Sequence, residues 1–579
     1  MNPPSLRSLR VATKALRFAA TVLAGVGLVG PGSAVAADPP GYACATAHPL
    51  ATDACLEILA EGGNAFDAAV AASAALAVVE PTGSGLGGGG FWLLHRAQDG
   101  LEVFVDGRET APAAATPGMY LDENGQPQPQ RSRYGSTAAA IPGEPAALDH
   151  IARRYGSRKL SRLLAPAIRH ARDGFAVDGK LARAIVEQEP NLSWGARRLL
   201  VPDGQALREG DLLRQPDLAW TLEALARSGR AGFYEGEVAE KLLTAVQRTG
   251  GLWTAEDLRR YQVVEREPLQ SWYRGYRIVS APPPSAGGVA LAQLFQQLEV
   301  LGWQDDPGIG SRHRLVEAIR RAYRDRAEFL GDPDRVRVPT YALVTRDRAR
   351  QLAASIEPAR ATPSASLPPA PLSPEGSDTT HLSVIDARGN RVAATLSINL
   401  PFGSGFLAPG TGVFLNDEMD DFSTAVGVAN AYGLVGSRPN AIAPLKRPLS
   451  SMSPTFVEGP RGLLVLGTPG GSRIVTMVAL GILRWIGGGD AQAVVAAPRI
   501  HHQYLPDLLQ FEPGALSEEQ QQGLQALGHV LAPQDRPWGN LQAITWDGAA
   551  KLEAASDPRG VGAARVVAVP QPSTVRKAN

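Results

Sequence analysis

Cysteine, net charge and long hydrophobic runs are scarce or missing in this sequence. Two cysteines among 579 residues exclude a cysteine-rich zinc module and a dense disulfide scaffold. Fifty-seven basic residues balance fifty-seven acidic ones, so no excess of positive charge is available to attract nucleic acid or an anionic membrane. Beyond the first 36 residues no apolar run reaches the length of a membrane span. We therefore expect no nucleic-acid partner and no stable membrane insertion.

The length and the remaining composition indicate a large globular enzyme rather than a fibrous or disordered chain. Hydrophobic residues make up 44% and charged residues 20% of the sequence, which is typical of globular proteins. The chain is longer than one ordinary domain. Its 62 glycines and 46 prolines indicate many tight turns, as in a loop-rich fold that combines helices and sheets.

The first 36 residues have the three-part pattern of a secretory signal peptide. A basic stretch precedes the apolar run Phe18–Gly30, and the small residues Ala34, Val35 and Ala36 resemble a cleavage site before Ala37. The apolar run is too short to span a membrane comfortably, although an uncleaved anchor is the alternative. We expect an exported protein. The arginine-rich start and the alanine-rich composition favour the bacterial periplasm over full secretion.

Export would place the two cysteines in an oxidising compartment. Cys44 and Cys55 are close in the sequence, and an oxidising compartment permits a bond between them. Two buried free thiols are the alternative. We expect the disulfide, which by the loop-entropy argument would stabilise the protein by about 2–3 kcal/mol.

The periodicity of the chain changes abruptly in its second half. Residues 48–60 and 65–79 have helical spacing, and 136–330 reads as largely helical. Residues 355–378 are rich in proline, serine and alanine and have no periodic apolar face. Directly after Asp378 the sequence alternates as a β-hairpin does. Such an abrupt change from a flexible segment to a buried strand is unusual inside one domain. It suggests that the chain is cut after Asp378.

The start of this hairpin offers a nucleophile. We expect the turn at Asp386–Arg391, so that the numbers of two residues facing each other across the hairpin add up to about 777. This register places Thr379 opposite Ile398, with Ser397 and Asn399 as near neighbours. If Thr379 were the first residue of a new chain, its α-amine, with an ordinary pKa near 7.7–8.0, could take the proton from its hydroxyl. An ordinary threonine-rich strand edge is the alternative.

Competing catalytic patterns are absent or weak. The sequence has no Gly-x-Ser-x-Gly elbow and no His-Glu-x-x-His. Neighbouring strand residues point to opposite faces, so His501 and His502 do not suit a shared metal. The acidic run 416–421 could hold a cation, lie in a solvated turn or bind a substrate ammonium. Gly467–Arg473 is either a plain turn or a cradle of backbone N–H groups for an oxyanion.

These segments together resemble the γ-glutamyltransferase (γ-glutamyl transpeptidase) family of N-terminal-nucleophile hydrolases. The resemblance extends over nearly all of the chain after the signal peptide. It rests on blocks in the same order, among them AHPLATDACLEILAEGGNAFDAAVA, VEPTGSGLGGGGF, DGRETAP, YRGYRIVSAPPPSAGG, EAIRRAYRDRAEFLGDPD, TTHLSVID, FGSGF, LNDEMDDFS, KRPLSSMSPT, GTPGGSRI and ASDPR.

The resemblance implies an αββα sandwich made as one precursor and cut before Thr379, which gives subunits 37–378 and 379–579. Thr379 would be both the self-cleavage residue and the nucleophile, and the cleavage site would be Asp378–Thr379. Ser397 stands where the family usually has a second threonine, so it keeps the hydroxyl and loses the methyl group. The other implied site residues are Asn399 for substrate contact, Arg108, Ser450 and Ser451 for the α-carboxylate, Glu418 and Asp421 for the α-amino group, Gly470 and Gly471 for the oxyanion, and Tyr432 in a lid over 426–437.

The implied activity is cleavage of the γ-glutamyl amide of glutathione through an ester on Thr379, with transfer to water or to an acceptor amine, amino acid or peptide, and without cofactor or metal. A cephalosporin acylase of the same family is one alternative. Its glutaryl substrate lacks the amino group that Glu418 and Asp421 would bind, so these two residues favour the γ-glutamyl substrate. An inactive exported binding protein is the other alternative.

Overall fold

The computed structural model describes residues 38–367, 379–423, 430–431 and 438–570. Its strands are β1 (Gly41–Thr46), β2 (Gly89–Arg96), β3 (Leu101–Gly107), β4 (Phe175–Ala176), β5 (Leu212–Leu213), β6 (Val264–Arg266), β7 (Leu269–Tyr273), β8 (Tyr276–Ser280), β9 (Thr380–Ile385), β10 (Arg391–Ser397), β11 (Leu407–Ala408), β12 (Val413–Phe414), β13 (Thr455–Gly459), β14 (Gly462–Gly467), β15 (Ile500–His501), β16 (Leu509–Phe511), β17 (Leu531–Pro533), β18 (Gln542–Trp546), β19 (Leu552–Ser556) and β20 (Ala563–Ala568).

The α-helices are α1 (Pro49–Ala60), α2 (Ala65–Val79), α3 (Pro129–Arg133), α4 (Glu144–Arg154), α5 (Leu160–Leu163), α6 (Ala165–Asp173), α7 (Gly179–Gln188), α8 (Trp194–Leu200), α9 (Pro216–Ser228), α10 (Ala231–Tyr234), α11 (Gly236–Arg248), α12 (Ala255–Arg260), α13 (Gly287–Val300), α14 (Ile309–Phe329), α15 (Thr340–Leu343), α16 (Arg346–Ala354), α17 (Ile474–Ile486), α18 (Ala491–Ala496) and α19 (Glu518–Ala526). The spacing predicts helices at 48–60 and 65–79, and α1 and α2 confirm both. The span 136–330 is helical for most of its length, but it also contains the strands β6, β7 and β8.

Two antiparallel sheets lie face to face between layers of helices. The first has the order β20-β1-β9-β10-β2-β3-β6 and the second β19-β18-β14-β13-β8-β7. Alternate residues of the first sheet enter different cores. Trp92 and Leu94 belong to the core that includes residues of α1, α2 and α4, whereas Phe91 and Leu93 belong to the core between the two sheets. Helices α13 and α17 contact the second sheet. The expected αββα sandwich of the N-terminal-nucleophile hydrolases is therefore confirmed.

The predicted hairpin is present, but the predicted register is wrong by one residue. Strands β9 and β10 pair Ile385 with Arg391 and Thr380 with Leu396, so paired numbers sum to 776. The cause is the turn, in which Asp386 N–H donates to Asn390 O and Gly389 has a φ of 82°. This three-residue loop between the paired ends suits a glycine with positive φ at its third position. The same register places Ser397, and not Ile398, opposite Thr379.

A disulfide joins Cys44 of β1 to Cys55 of α1, with 6.4 Å between the two Cα atoms. Both side chains are fully buried. The bond fixes the first helix against the strand that lies between β9 and β20 in the first sheet. In the part of the chain that the structure describes, no helix combines the length and apolarity that a bilayer crossing requires.

Glu144, at the start of α4, is a fully buried carboxyl that accepts a hydrogen bond from Ser73 Oγ at 2.8 Å. Burial raises its pKa from 4.5 to about 8, so the folded protein holds this carboxyl as a neutral acid. We expect Glu144→Gln and the wild type to be equally stable below pH 4.5, where the acid is protonated in both the folded and the unfolded state. Between pH 4.5 and 8 the unfolded wild type loses the proton first, so the wild type should fall progressively below the variant. Urea unfolding at several pH values measures the difference, and a constant difference between pH 4 and 9 would contradict the expectation.

Candidate active site

The site lies where several strands of the two sheets end at one edge of the sandwich. Thr379 directly precedes β9, and Ser397 is the last residue of β10. Ser397 pairs with Gly89 at the start of β2, and Gly90 pairs with Gly107 at the end of β3. The antiparallel register therefore brings the threonine, the serine and the residue after β3, Arg108, to the same edge.

The glycine-rich run 83–90 allows the backbone to pass closely behind the threonine and serine. A Cβ atom at Gly88 would lie 2.1 Å from the carbonyl oxygen of Ser397, and one at Gly83 would lie 3.2 Å from that of Thr379. The run was conspicuous in the sequence, but its purpose was not. Its close approach supports the two strand ends.

Three carboxylates surround the Arg108 guanidinium in a fully buried position. Arg108 Nη1 lies 2.7 Å from Glu418 Oε2 and 3.4 Å from Glu109 Oε2, and Nη2 pairs with Asp421. Burial opposes the charge of Arg108, but these carboxylates outweigh it and raise the pKa of the guanidinium. Burial also raises the pKa of Glu109 to about 7 and holds that of Glu418 well above its usual range, although Arg108 lowers both. The cluster is thus rich in acid groups and would accept a further cation.

Asn399 stands beside the two hydroxyl residues in a conformation with a φ of 77°. Its N–H donates to Ser397 Oγ at 2.8 Å, and its Nδ2 donates to Asp417 Oδ2 at 3.0 Å. Burial raises the pKa of Asp417 well above its usual range. The backbone hydrogen bond takes a lone pair of the Ser397 oxygen and leaves its proton available to another group.

Ser450 and Ser451 precede β13, and the hydroxyl of each accepts a hydrogen bond from the protein. Met452 N–H donates to Ser450 Oγ at 3.1 Å, and Arg326 Nη2 donates to Ser451 Oγ at 3.1 Å. Among the described residues neither hydroxyl donates to an acceptor. Both O–H groups can therefore be donated to an anionic ligand.

Gly470 and Gly471 lie between β14 and α17, with φ values of 134° and 53°. Within the described ranges, no acceptor pairs with either backbone N–H. A Cβ at Gly470 would lie 2.4 Å from Met477 Cε, so both the space and the backbone conformation there require glycine. Two unpartnered N–H groups at a turn are suited to hold an oxyanion.

One small cavity collects most of the residues that the sequence proposed. Of the proposed residues it is lined by Arg108, Thr379, Ser397, Asn399, Asp421, Ser450, Ser451 and Gly471. Glu418 contacts it through Arg108, and Gly470 is adjacent in the chain. Tyr432 and Asp378 lie outside the described residues. The cavity volume is about 20 Å³, which is room for about one water molecule.

Sequence reasoning missed Arg326, Tyr323 and Glu80. Arg326 of α14 lines the cavity, and one turn earlier the Tyr323 hydroxyl donates to Ser472 O, beside the two glycines. Glu80 Oε2 accepts from the Thr380 hydroxyl at 2.5 Å and Glu80 Oε1 from Lys180 Nζ at 2.8 Å. The Arg and Tyr spacing in RRAYRDRAEF was the available signal, because residues three apart share a helix face.

Two groups among the described residues bring three potential metal-ligand atoms within 4.8 Å of one another. They are His313, Glu317 and His529, and His95, Glu102 and Glu458. Glu317 pairs with Arg320 and Arg321, and Glu102 pairs with Arg277. These arginines already supply the positive charge that a metal ion would bring, so neither group is a suitable metal centre. His501 and His502 bond to different partners, Thr476 and Asp507.

Comparison with known proteins agrees with this geometry. The family model described as gamma-glutamyltranspeptidase matches residues 51–567. The glutathione hydrolase proenzyme of Escherichia coli is 42% identical over 527 residues, which are 89% of this chain and 90% of that protein.

Two solved structures are also similar. The cephalosporin acylase from Bacillus halodurans has a TM-score of 0.80 at 27% identity and covers 95% of this chain and 100% of its own. The Helicobacter pylori gamma-glutamyltranspeptidase has a TM-score of 0.53 at 39% identity, over 56% of this chain and 93% of its own. The family match over most of the chain and the 42% identity decide the assignment: the chain belongs to the γ-glutamyltranspeptidase family.

Proposed function

We propose that this protein is an exported proenzyme that cuts itself before Thr379 and then cleaves the γ-glutamyl amide bond of glutathione and related compounds. The single observation that carries the proposal is the cavity in which Thr379 faces Arg108, Asp421, Ser450 and Ser451. A nucleophile beside groups for one carboxylate and one ammonium suits an acyl donor that is itself an α-amino acid.

In maturation, Thr379 Oγ attacks the carbonyl carbon of Asp378. The peptide C–N bond breaks as the hydroxyl proton passes to the leaving nitrogen, which frees the α-amine of Thr379 and leaves an ester between Asp378 and Thr379 Oγ. Water hydrolyses this ester to the Asp378 carboxylate and the Thr379 hydroxyl. We propose a signal peptide 1–36, a large subunit 37–378 and a small subunit 379–579, located in the bacterial periplasm. The similar E. coli protein is likewise named a proenzyme.

In catalysis, the α-amine of Thr379 takes the hydroxyl proton while Oγ attacks the γ-carbonyl carbon. The N–H groups of Gly470 and Gly471 hold the oxyanion. The C–N bond then breaks, and the α-ammonium returns its proton to the leaving amine, which is cysteinylglycine when the donor is glutathione. His381 is not a competing base, because its ring nitrogens bond to Thr395 and Ser383 and burial lowers its pKa to about 3.

The ester on Thr379 is then attacked by water or by the amine of an amino acid or peptide. The same α-amine takes the proton of the incoming group, and the threonine hydroxyl is regenerated. The donor's α-carboxylate would pair with Arg108 and the serine hydroxyls, and its ammonium with Glu418 and Asp421. The donor would thus replace the contacts of Arg108 with Glu418 and Asp421 by charge-assisted contacts to its own carboxylate and ammonium.

A glutaryl cephalosporin acylase is the second candidate, because the acylase from Bacillus halodurans is so similar over its whole length. A glutaryl group has no ammonium for the acid-rich cluster around Arg108. One preparation should be tested with γ-glutamyl-p-nitroanilide and with a glutaryl cephalosporin. We expect faster turnover of the γ-glutamyl compound, and faster glutaryl turnover would reverse the assignment.

An exported binding protein that keeps the site but not the chemistry is the third candidate. A denaturing gel of the purified protein distinguishes it from the enzyme. We expect two bands and new N-termini at Ala37 and Thr379 by mass spectrometry. One uncut band together with no release of p-nitroaniline would favour the binding protein.

Replacement of Gly470 by alanine tests the oxyanion turn. The new Cβ would contact Met477, and alanine does not adopt a φ of 134° without strain, so the N–H groups should turn away from the oxyanion. We expect kcat for γ-glutamyl-p-nitroanilide to fall about 10²–10³-fold. Gly488→Ala is the matched control, because Gly488 has a φ of 104° and nothing within 4 Å of its added Cβ. If kcat fell equally in both variants, the loss would reflect backbone strain in general and not the oxyanion turn.

A further inference from the structure

Helix α14 contacts the site through two side chains, of which Arg326 lines the cavity. Tyr323 and Arg326 lie three residues apart, on one face of the helix. The tyrosine hydroxyl donates to Ser472 O, next to the glycine turn, and the arginine donates to Ser451 Oγ. One rigid element therefore contacts both the turn that follows β14 and the serine pair that precedes β13.

The two arginines that line the cavity differ in their charge partners. Arg108 is paired with Glu109, Glu418 and Asp421. Arg326 has no carboxylate within ion-pair distance among the residues that the structure describes, and its buried Nε has no hydrogen-bond partner there. The positive charge that is not already balanced at this site therefore belongs to Arg326.

The hydrogen bond from Arg326 also fixes the role of the Ser451 hydroxyl. Because Arg326 Nη2 occupies one lone pair of Ser451 Oγ at 3.1 Å, the hydroxyl proton must point away from the guanidinium. Ser451 lines the cavity, so its O–H is left to donate there. A hydroxyl held by a cation is a stronger donor than a free one, since hydrogen-bonded groups polarise one another.

We infer that Arg326 is a positioning residue that, through Ser451 and its own unbalanced charge, makes the site selective for acyl donors that carry an α-carboxylate. The inference rests on the proposed function and adds a residue to it. Arg108 also binds the α-carboxylate in the proposed function, but three acids already share its charge, so Arg326 adds to the selectivity that Arg108 gives. A donor that lacks the α-carboxylate has nothing to gain from Arg326.

The test compares two amides that differ only in the α-carboxylate: γ-glutamyl-p-nitroanilide and 4-aminobutyryl-p-nitroanilide. We expect Arg326→Met to raise KM for the first compound about tenfold or more, the effect of one lost charge-assisted hydrogen bond. Its kcat should change less than about threefold, and kcat/KM for the second compound should stay within about twofold. Arg326→Lys should recover part of the loss. Arg324→Met is the matched control on the same helix, because Arg324 pairs with Asp325 outside the cavity.

A double-mutant cycle with Ser451→Ala tests whether Arg326 acts through the Ser451 hydroxyl. If Arg326 acts through Ser451, Arg326→Met should add little to KM in the Ser451→Ala background. If Arg326→Met lowered kcat/KM equally for both amides, or for neither, the inference would be overturned. The wild-type enzyme would still be active, so the proposed function would stand. A wild type without turnover of either amide would overturn both. If the methionine variant does not fold, as judged by its thermal unfolding midpoint, the ratio of KM values in Arg326→Lys decides.

Discussion

Thr379→Ala is expected to give a single uncut chain that does not release p-nitroaniline from γ-glutamyl-p-nitroanilide. The substitution removes the hydroxyl that would break the Asp378–Thr379 bond and the hydroxyl that would accept the γ-glutamyl group. Loss of a nucleophile lowers kcat about 10⁴-fold or more. Thr379 directly precedes β9 and is 3% exposed, and alanine fits the same space, so the fold should persist. A denaturing gel and the absorbance assay measure the two effects.

Thr379→Ser is the matched control for this result. It keeps the hydroxyl and removes only a methyl group, so it should cut itself and retain measurable turnover, both more slowly than the wild type. Circular dichroism of the alanine variant establishes that the chain is folded. Two subunits in the alanine variant, or glutathione breakdown at the wild-type rate, would refute the assignment of the nucleophile.

Arg108→Met is expected to have the second largest effect, and the effect should depend on pH. The variant leaves Glu109, Glu418 and Asp421 without their shared cation in a buried site. Removal of one partner from a buried ion pair costs about 3–5 kcal/mol. Binding of the donor's α-carboxylate should be lost as well, with kcat/KM for γ-glutamyl-p-nitroanilide at least 100-fold lower.

The sign of the pH dependence follows from the acids that remain. Arg108 lowers the pKa of both Glu109 and Glu418, so without it both values rise further and both acids stay protonated to higher pH. The free energy of unfolding lost by the variant should therefore be largest near pH 8 and should shrink toward pH 5. Urea unfolding at both pH values measures it, with Arg108→Lys as the variant that keeps a cation. A loss that is independent of pH would contradict this account of the cluster.

Local patterns in the sequence predicted individual elements, whereas the αββα architecture and most of the site residues were implied by the resemblance to the γ-glutamyltransferase family. The helices α1 and α2 follow from apolar spacing, and the β9–β10 hairpin from alternation and a glycine turn. The register of that hairpin was not predictable from alternation. A loop with an odd number of residues and one with an even number both leave apolar and polar residues alternating along each strand. The hydrogen bond between Asp386 and Asn390 decides the register, and this bond is visible only in the structure.

Arg326 shows what local patterns do not contain. In the sequence it is one of several arginines on a long helix, and its spacing of three residues from Tyr323 places the two on one helix face but does not show what that face contacts. Its role follows from two facts of tertiary structure: it lines the cavity, and among the described residues its guanidinium has no carboxylate within ion-pair distance. Likewise, the crowding of three acids around Arg108 results from bringing residues 108–109 and 418–421 together across more than 300 positions of the chain.

The strand order of the sheets determines what scission before Thr379 would do to the assembly. In the first sheet β1 is hydrogen-bonded on one side to β20 and on the other to β9, so a strand of the upstream fragment would be enclosed by two strands of the downstream one. In the second sheet β13 of the downstream fragment pairs with β8 of the upstream fragment. The two fragments could not separate without breaking backbone ladders in the interior of both sheets. Extensive dilution should therefore leave them associated, and their release would amount to global denaturation.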